Sequence, residues 1–100
     1  MAEPIRVTVD EDLLDIIPGY LDGRRADVAT IRSLVEAGDF EQARVLGHRM
    51  KGSGGGYGFE AITEIGLRIE MAAKSAEGDA ILAALDALAD FLDRVEITAG

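Results

Sequence analysis

The chain contains no cysteine and a single histidine, His48. Without cysteine there can be no disulfide, no thiolate catalysis and no Cys-based zinc site, and one histidine cannot build a His-rich metal cage. No metal site and no bound cofactor are therefore expected, and the lack of thiols fits a reducing compartment. No apolar run approaches the ~18 residues of a membrane span, and the opening MAEPIRVTVDEDLL lacks a basic flank followed by an apolar core. A soluble, cytoplasmic protein with no membrane partner is the expectation. Basic residues are also scarce, 10 against 19 acidic ones, for a formal net charge of -9. Nucleic-acid binding needs a basic stripe that such a chain does not offer, so the acidity serves chiefly solubility.

What is present is enough for one domain. One hundred residues with 48% hydrophobic content and no low-complexity tract or internal repeat predict a single unit over 1–100. A chain of this size buries somewhat over ~60% of its unfolded surface, too little for an enclosed substrate chamber plus a nucleotide site. That argues against a complete kinase.

Strand signals are nearly absent. IRVTV, Ile5 to Val9, is the one short β-like run, without an evident partner, so residues 1–9 are expected to form an extended arm. Helical patterning then covers about 10–96. Thr8 or Asp10 offers an N-cap to a short apolar helix through Leu13, Leu14, Ile16 and Ile17, which should stop before Pro18. Pro18 opens a second helix reaching Ala37, with Leu21, Val28, Ile31, Leu34 and Val35 at helical spacing, and Gly38 ends it. Asp39 caps a third helix, with Gln42 in the position of a capping-box partner. That helix should run from Phe40 to about Gly54. A fourth begins near Gly58 or Phe59, with Glu64–Arg68 and Glu70–Lys74 as i,i+4 ion pairs, and Gly78 ends the connection after it. The last helix carries Ile81, Leu85, Leu88, Leu92 and Val95. The fold class expected is all-α: an antiparallel up-down four-helix bundle with a short additional N-terminal helix.

One window departs from the overall charge. Ala43 to Phe59 contains Arg44, Arg49 and Lys51 but no Asp or Glu, although the chain has nineteen acids. At about 100° per residue, Ala43, Leu46, Gly47, Met50, Gly54 and Tyr57 share one sector and should face the core, whereas His48 lies roughly 140° from Ala43. His48 is therefore expected outside or at the edge, flanked by Arg44, Lys51, Gly52 and Gly55. Lys51 at i+3 is close enough to attract a phosphoryl group on the ring, and Gly52 at i+4 leaves the ring unshaded. A neutral imidazole is a competent nucleophile near neutral pH.

Less specific readings of the same residues exist. A lone exposed histidine on a helix is most often ordinary surface, and Gly47 and Gly54 can serve simply for close helix packing. GSGGGYG is a poor phosphate loop, because Lys51 precedes the glycines instead of following them. It is equally poor as a dinucleotide fingerprint, since RVLGHRMK ahead of it is helical and no strand precedes it.

His48, Lys51, Gly52, Ser53 and Gly58, in HRMKGSGGGYG, resemble the phospho-acceptor motif of histidine-containing phosphotransfer (HPt) domains: His-x-x-Lys-Gly-Ser, with a glycine ten residues after the histidine. The resemblance covers nearly the whole chain, including the acidic start, the proline junction, the Gly38-Asp39 turn and the two later helices. Gly47, Met50 and Gly54 depart mildly from residues frequent in the family. The resemblance implies a phosphocarrier, not an enzyme: His48 would accept a phosphoryl group from a receiver-domain phosphoaspartate and pass it to another receiver. Lys51 would stabilise the phosphoryl oxygens and Gly52 would give access, while Ser53 and Gly58 would be structural. No carboxylate is evident beside His48, so the receiver is expected to bring Mg2+ and the aspartate. Partners implied are receiver domains and a hybrid sensor histidine kinase, docking on Arg44, Val45 and Arg49 of the motif helix and on Tyr20, Leu21 and Arg24 of its neighbour. The alternatives are a non-phosphorylated helical-bundle adaptor that only binds such partners, and a small hydrolase using His48 as base; Ser53, roughly 140° from His48, is badly placed as its nucleophile.

Overall fold

Asp39 fixes the start of the helix that carries the site. Its side chain accepts a hydrogen bond from the Gln42 amide at 3.2 Å, satisfying one of the orphan donors of the first turn. Immediately before it, the Gly38 amide donates to the Val35 carbonyl and the Asp39 amide to the Leu34 carbonyl, the paired bonds of a Schellman ending. That ending requires a left-handed residue, and Gly38 supplies it at φ 73°.

The computed structural model describes residues 3–100. In chain order it comprises β1 (Ile5–Val9), α1 (Ile17–Glu36), α2 (Phe40–Gly54), α3 (Glu60–Lys74), α4 (Gly78–Arg94) and β2 (Val95–Ala99), with single 3-10 turns at Glu11–Leu13 and Gly55–Tyr57. Four helices dominate, as the periodicity requires. Ile17, Ile31, Met50, Ile62, Ile69, Ile81, Leu85 and Leu88 are fully buried between them, together with Phe59 from the turn before α3.

Three expectations need correction. The short N-terminal helix is only a 3-10 turn, in which Asp10 accepts from the Asp12 amide. Ile17 belongs to α1: a proline in the first turn gives up an N–H that has no partner there anyway, so the helix starts one residue before Pro18. The connection between α3 and α4 does end at Gly78, which opens α4, and Ala76 takes the left-handed φ of 52° within it.

The third correction concerns the ends of the described chain. IRVTV does have a partner: β1 pairs in parallel with β2, Ile5 opposite Val95 through Val9 opposite Ala99. Val95 fits the apolar spacing of α4, but VEITA also alternates and is rich in β-branched residues, which favour a pleated surface. The helix stops at Arg94, and Val95 turns extended. Ile5, Val7, Val95 and Ile97 pack on the core, while Arg6, Thr8, Glu96 and Thr98 face solvent. The 1–9 arm is thus tied down over its strand.

Candidate functional site

Helix α2 is built to lie hard against α3. Gly47 and Gly54 of α2 and Gly66 of α3 are all buried, and side chains at these positions would strike backbone. A Cβ on Gly47 would stand 2.8 Å from the Glu70 amide nitrogen, and one on Gly54 2.6 Å from that of Thr63. A Cβ on Gly66 would collide with the backbone of Lys51 and Gly47. The glycines thus remove the spacing that side chains impose between helices. The sequence reading assigned Gly47 and Gly54 to packing, and they do pack; Gly66 is their counterpart across the seam.

This closeness brings α3 within reach of His48. Glu70, with only 6% of its side chain exposed, places Oε2 2.9 Å from His48 Nδ1 and Oε1 2.6 Å from Lys51 Nζ. One buried carboxylate therefore holds both His48 and Lys51. The Glu70 carboxyl is held below its ordinary value of 4.5, first by the hydrogen bond from Lys51, against which burial acts, and then by the hydrogen bond from His48 and the charges of both. An ionised carboxylate has no proton to give, so Nδ1–H is the donor to Oε2. The neutral ring then keeps its lone pair on Nε2, the nitrogen on the other side. The imidazole is 62% exposed, and the space beside Gly52 is open. An imidazole held in this tautomer, uncovered and next to an ammonium group, can attack an electrophilic phosphorus through Nε2.

Glu70 is the residue that sequence reasoning missed. Its i,i+4 spacing points to Lys74, and the sequence makes no carboxylate evident beside His48. Among the described residues neither Glu70–Lys74 nor Glu64–Arg68 forms an ion pair. A signal existed in the helical projection: Glu70 falls about 40° from Gly66, against about 120° and 160° for Glu60 and Glu64. It is the acid of α3 at the edge of the apolar face.

The other expected residues separate into two groups. Ser53 and Gly58 are built into the structure. Ser53 Oγ lies 2.8 Å from the Tyr20 hydroxyl and donates to the Met50 carbonyl at 3.3 Å, and Gly58 takes φ 92° where the 3-10 turn ends. On α2, Arg49 is exposed and Arg44 and Val45 are half-buried, with Arg44 bonded to Glu41 of its own helix. On α1 the expectation of a docking face needs correction. Leu21 is 6% exposed and part of the core; Tyr20, at 9%, stacks on Tyr57 with ring centroids 4.1 Å apart. Arg24 lies over the Tyr20 ring and is bonded to Asp27 at 2.8 Å. These α1 residues serve the junction of α1 with the end of α2.

Among the described residues no group of three or more His, Cys, Asp or Glu side chains could hold a metal ion, and no helix is long and apolar enough to cross a membrane. A four-helix unit presenting one exposed histidine, backed by a buried carboxylate and a lysine, is a histidine-bearing helical bundle. The family model of the Hpt domain matches residues 15–98, and the chain belongs to that family. Comparison with curated proteins and with solved structures gives no significant match. Hpt domains take part in phosphotransfer in two-component signalling, act as phosphocarriers and not as enzymes in the usual sense, and interact with receiver domains and kinases.

Proposed function

We propose that this protein is a cytoplasmic phosphocarrier of a two-component phosphorelay, a single domain over 1–100 that accepts a phosphoryl group on His48 from a receiver-domain phosphoaspartate and passes it to a second receiver. The observation that carries this reading is the 2.9 Å contact of His48 Nδ1 with Glu70, whose other carboxylate oxygen takes Lys51, on an imidazole that is 62% exposed. In the step, the Nε2 lone pair forms the N–P bond while the acyl-phosphate P–O bond of the receiver breaks, and the aspartate leaves as carboxylate. The Nδ1 proton stays in place, and the positive charge gained by the ring faces Glu70. Transfer onward reverses these changes. The chain contributes position and charge, Lys51 toward the phosphoryl oxygens and Gly52 as open approach. The partner contributes its aspartate and the metal that neutralises the transferring group.

The reading takes the four helices as an antiparallel up-down bundle, supported by the short connections at 37–39 and 75–77. Arg44, Val45 and Arg49 remain the candidates for partner contact on α2. Incubation with a receiver charged by acetyl phosphate should label the wild-type protein with an acid-labile, base-stable phosphoryl group, and His48→Gln should carry no label. Label retained in His48→Gln would overturn the assignment of the acceptor; receiver binding with no transfer to the wild type would return the protein to the adaptor reading.

A further inference from the structure

Three large hydrophobic side chains are exposed among the described residues: Ile16 at 49%, Leu67 at 44% and Met71 at 55%. Single exposed hydrophobics are ordinary and carry no argument. Leu67 and Met71 are not single. They stand at i and i+4 on α3, so they share a strip of that helix, with Glu70 beside them. On the helical projection Gly66, Glu70, Leu67 and Met71 follow one another at about 0°, 40°, 100° and 140°. Gly66 touches α2, and Ile62, Ile69 and Ala73 face the core from the other side of Gly66. The strip therefore lies on the solvent flank of Glu70, the same flank on which Glu70 meets the exposed imidazole.

We infer that the Leu67–Met71 strip of α3 is the apolar anchor on which a receiver domain docks to reach His48. The inference rests on the phosphocarrier reading and moves the docking face from the α1–α2 side to the α2–α3 side of the site. Size supports it. A transient signalling interface covers under about 600 Å² on each partner, a disc of about 14 Å radius. Glu70 reaches His48 at 2.9 Å, and Leu67 stands one turn away from Glu70, about 5 to 6 Å at Cβ, so the strip falls within a footprint centred on the ring.

Charge selects the occupant. The α2 border of the footprint carries Arg44, Arg49 and Lys51, of which Arg44 is paired with Glu41 and Lys51 with Glu70, while on α3 the exposed Glu60 and Glu64 flank the strip at about 120° and 160°. Arg49 is exposed and makes no ion pair among the described residues. A partner whose reactive centre is acidic, with apolar surface beside it, matches this border; a second copy of a chain with net charge -9 does not. The α1 side offers less, because Leu21 and Tyr20 are buried and Arg24 is engaged with Asp27. Arg49 for encounter and an apolar strip for contact divide the work as transient interfaces commonly do.

The test uses the full chain and a receiver domain, charged by acetyl phosphate, that labels the wild type. The double variant Leu67→Ala, Met71→Ala keeps good helix formers at both positions. Its second-order rate constant for label transfer should fall about tenfold, the size of effect that truncating anchor residues has on an interface. Labelling by phosphoramidate, a small donor that needs no docking, should keep the wild-type rate. A double variant that transfers at the wild-type rate would overturn the inference, as would equal slowing with phosphoramidate, which would make the effect one of fold or chemistry. Slowing confined to Ile16→Ala would move the anchor to the α1 side and overturn it too. Failure of the phosphocarrier reading looks different, because the wild type would then take label from neither donor.

Discussion

The two flanks of α2 are built from similar materials to different ends. Toward α1, a hydroxyl pair, an aromatic stack and an arginine over a ring join Tyr20, Ser53, Tyr57 and Arg24. The Tyr20 and Ser53 hydroxyls are matched to each other and Arg24 to Asp27, and burial pushes the Asp27 carboxyl up despite the opposing charge and hydrogen bond of Arg24. Toward α3, three glycines bring backbones together, and the polar groups they align are half open to solvent. The first flank holds the helices, and the second leaves an imidazole open to solvent. Buried polar contacts of the two flanks have similar lengths, and what separates them is whether one partner is left uncovered.

Gly66→Ala should break this contrast most severely. The added carbon meets the backbone of Lys51 and Gly47, which cannot turn aside, so α2 and α3 must part. A loss of about 3 kcal/mol is expected from such overpacking, read as a lower urea midpoint, together with loss of His48 labelling. Next comes Glu70→Gln. The amide can bond the ring in either orientation and no longer imposes Nδ1–H, so labelling by phosphoramidate should slow about 10- to 100-fold while the fold persists. A wild-type rate in this variant would mean that the tautomer does not matter.

Acid offers a milder form of the same break. Glu70 has a folded-state value below its ordinary 4.5, so the unfolded chain takes up the proton first as pH falls. The stability it contributes is present above about pH 4.5 and is lost as pH drops through the lower folded value. The difference in melting temperature between wild type and Glu70→Gln should therefore be steady near neutrality and close below pH 4.5. The smallest effect belongs to the other flank. Tyr20→Phe deletes the hydroxyl that meets Ser53 and should cost about 1 kcal/mol, with His48 labelling unchanged. A labelling defect there would erase the distinction between the flanks.

Much of this was legible in the sequence, and the limits have physical causes. The apolar spacing placed the four helices, Asp39 and Gly38 marked a boundary, and the projection of α2 put His48 outside. The failures all involve contacts between residues distant in sequence. Glu70 looked like the partner of Lys74 because an i,i+4 rule sees one helix at a time, whereas its true partners lie 22 and 19 positions away. Leu21 looked like surface beside His48 because its helix could not be rotated against its neighbours from spacing alone. Val95 looked helical because it fits both periods, and only the pairing of VEITA with IRVTV decides between them.

That pairing has a consequence for the order of assembly. Ile5 and Val95 are register partners across almost the whole chain. Closing a loop of about 90 residues in an unstructured chain costs roughly 4 kcal/mol of entropy, more than five pairs of a lone two-stranded ribbon return. Once the helices have packed, most of that ordering is already done, and β2 follows α4 without a connecting residue. The ribbon is thus a late event that seals a bundle formed by nearer contacts. It acts as a latch on the helices, and its opening frees the ends of the described chain before it disturbs His48 and Glu70.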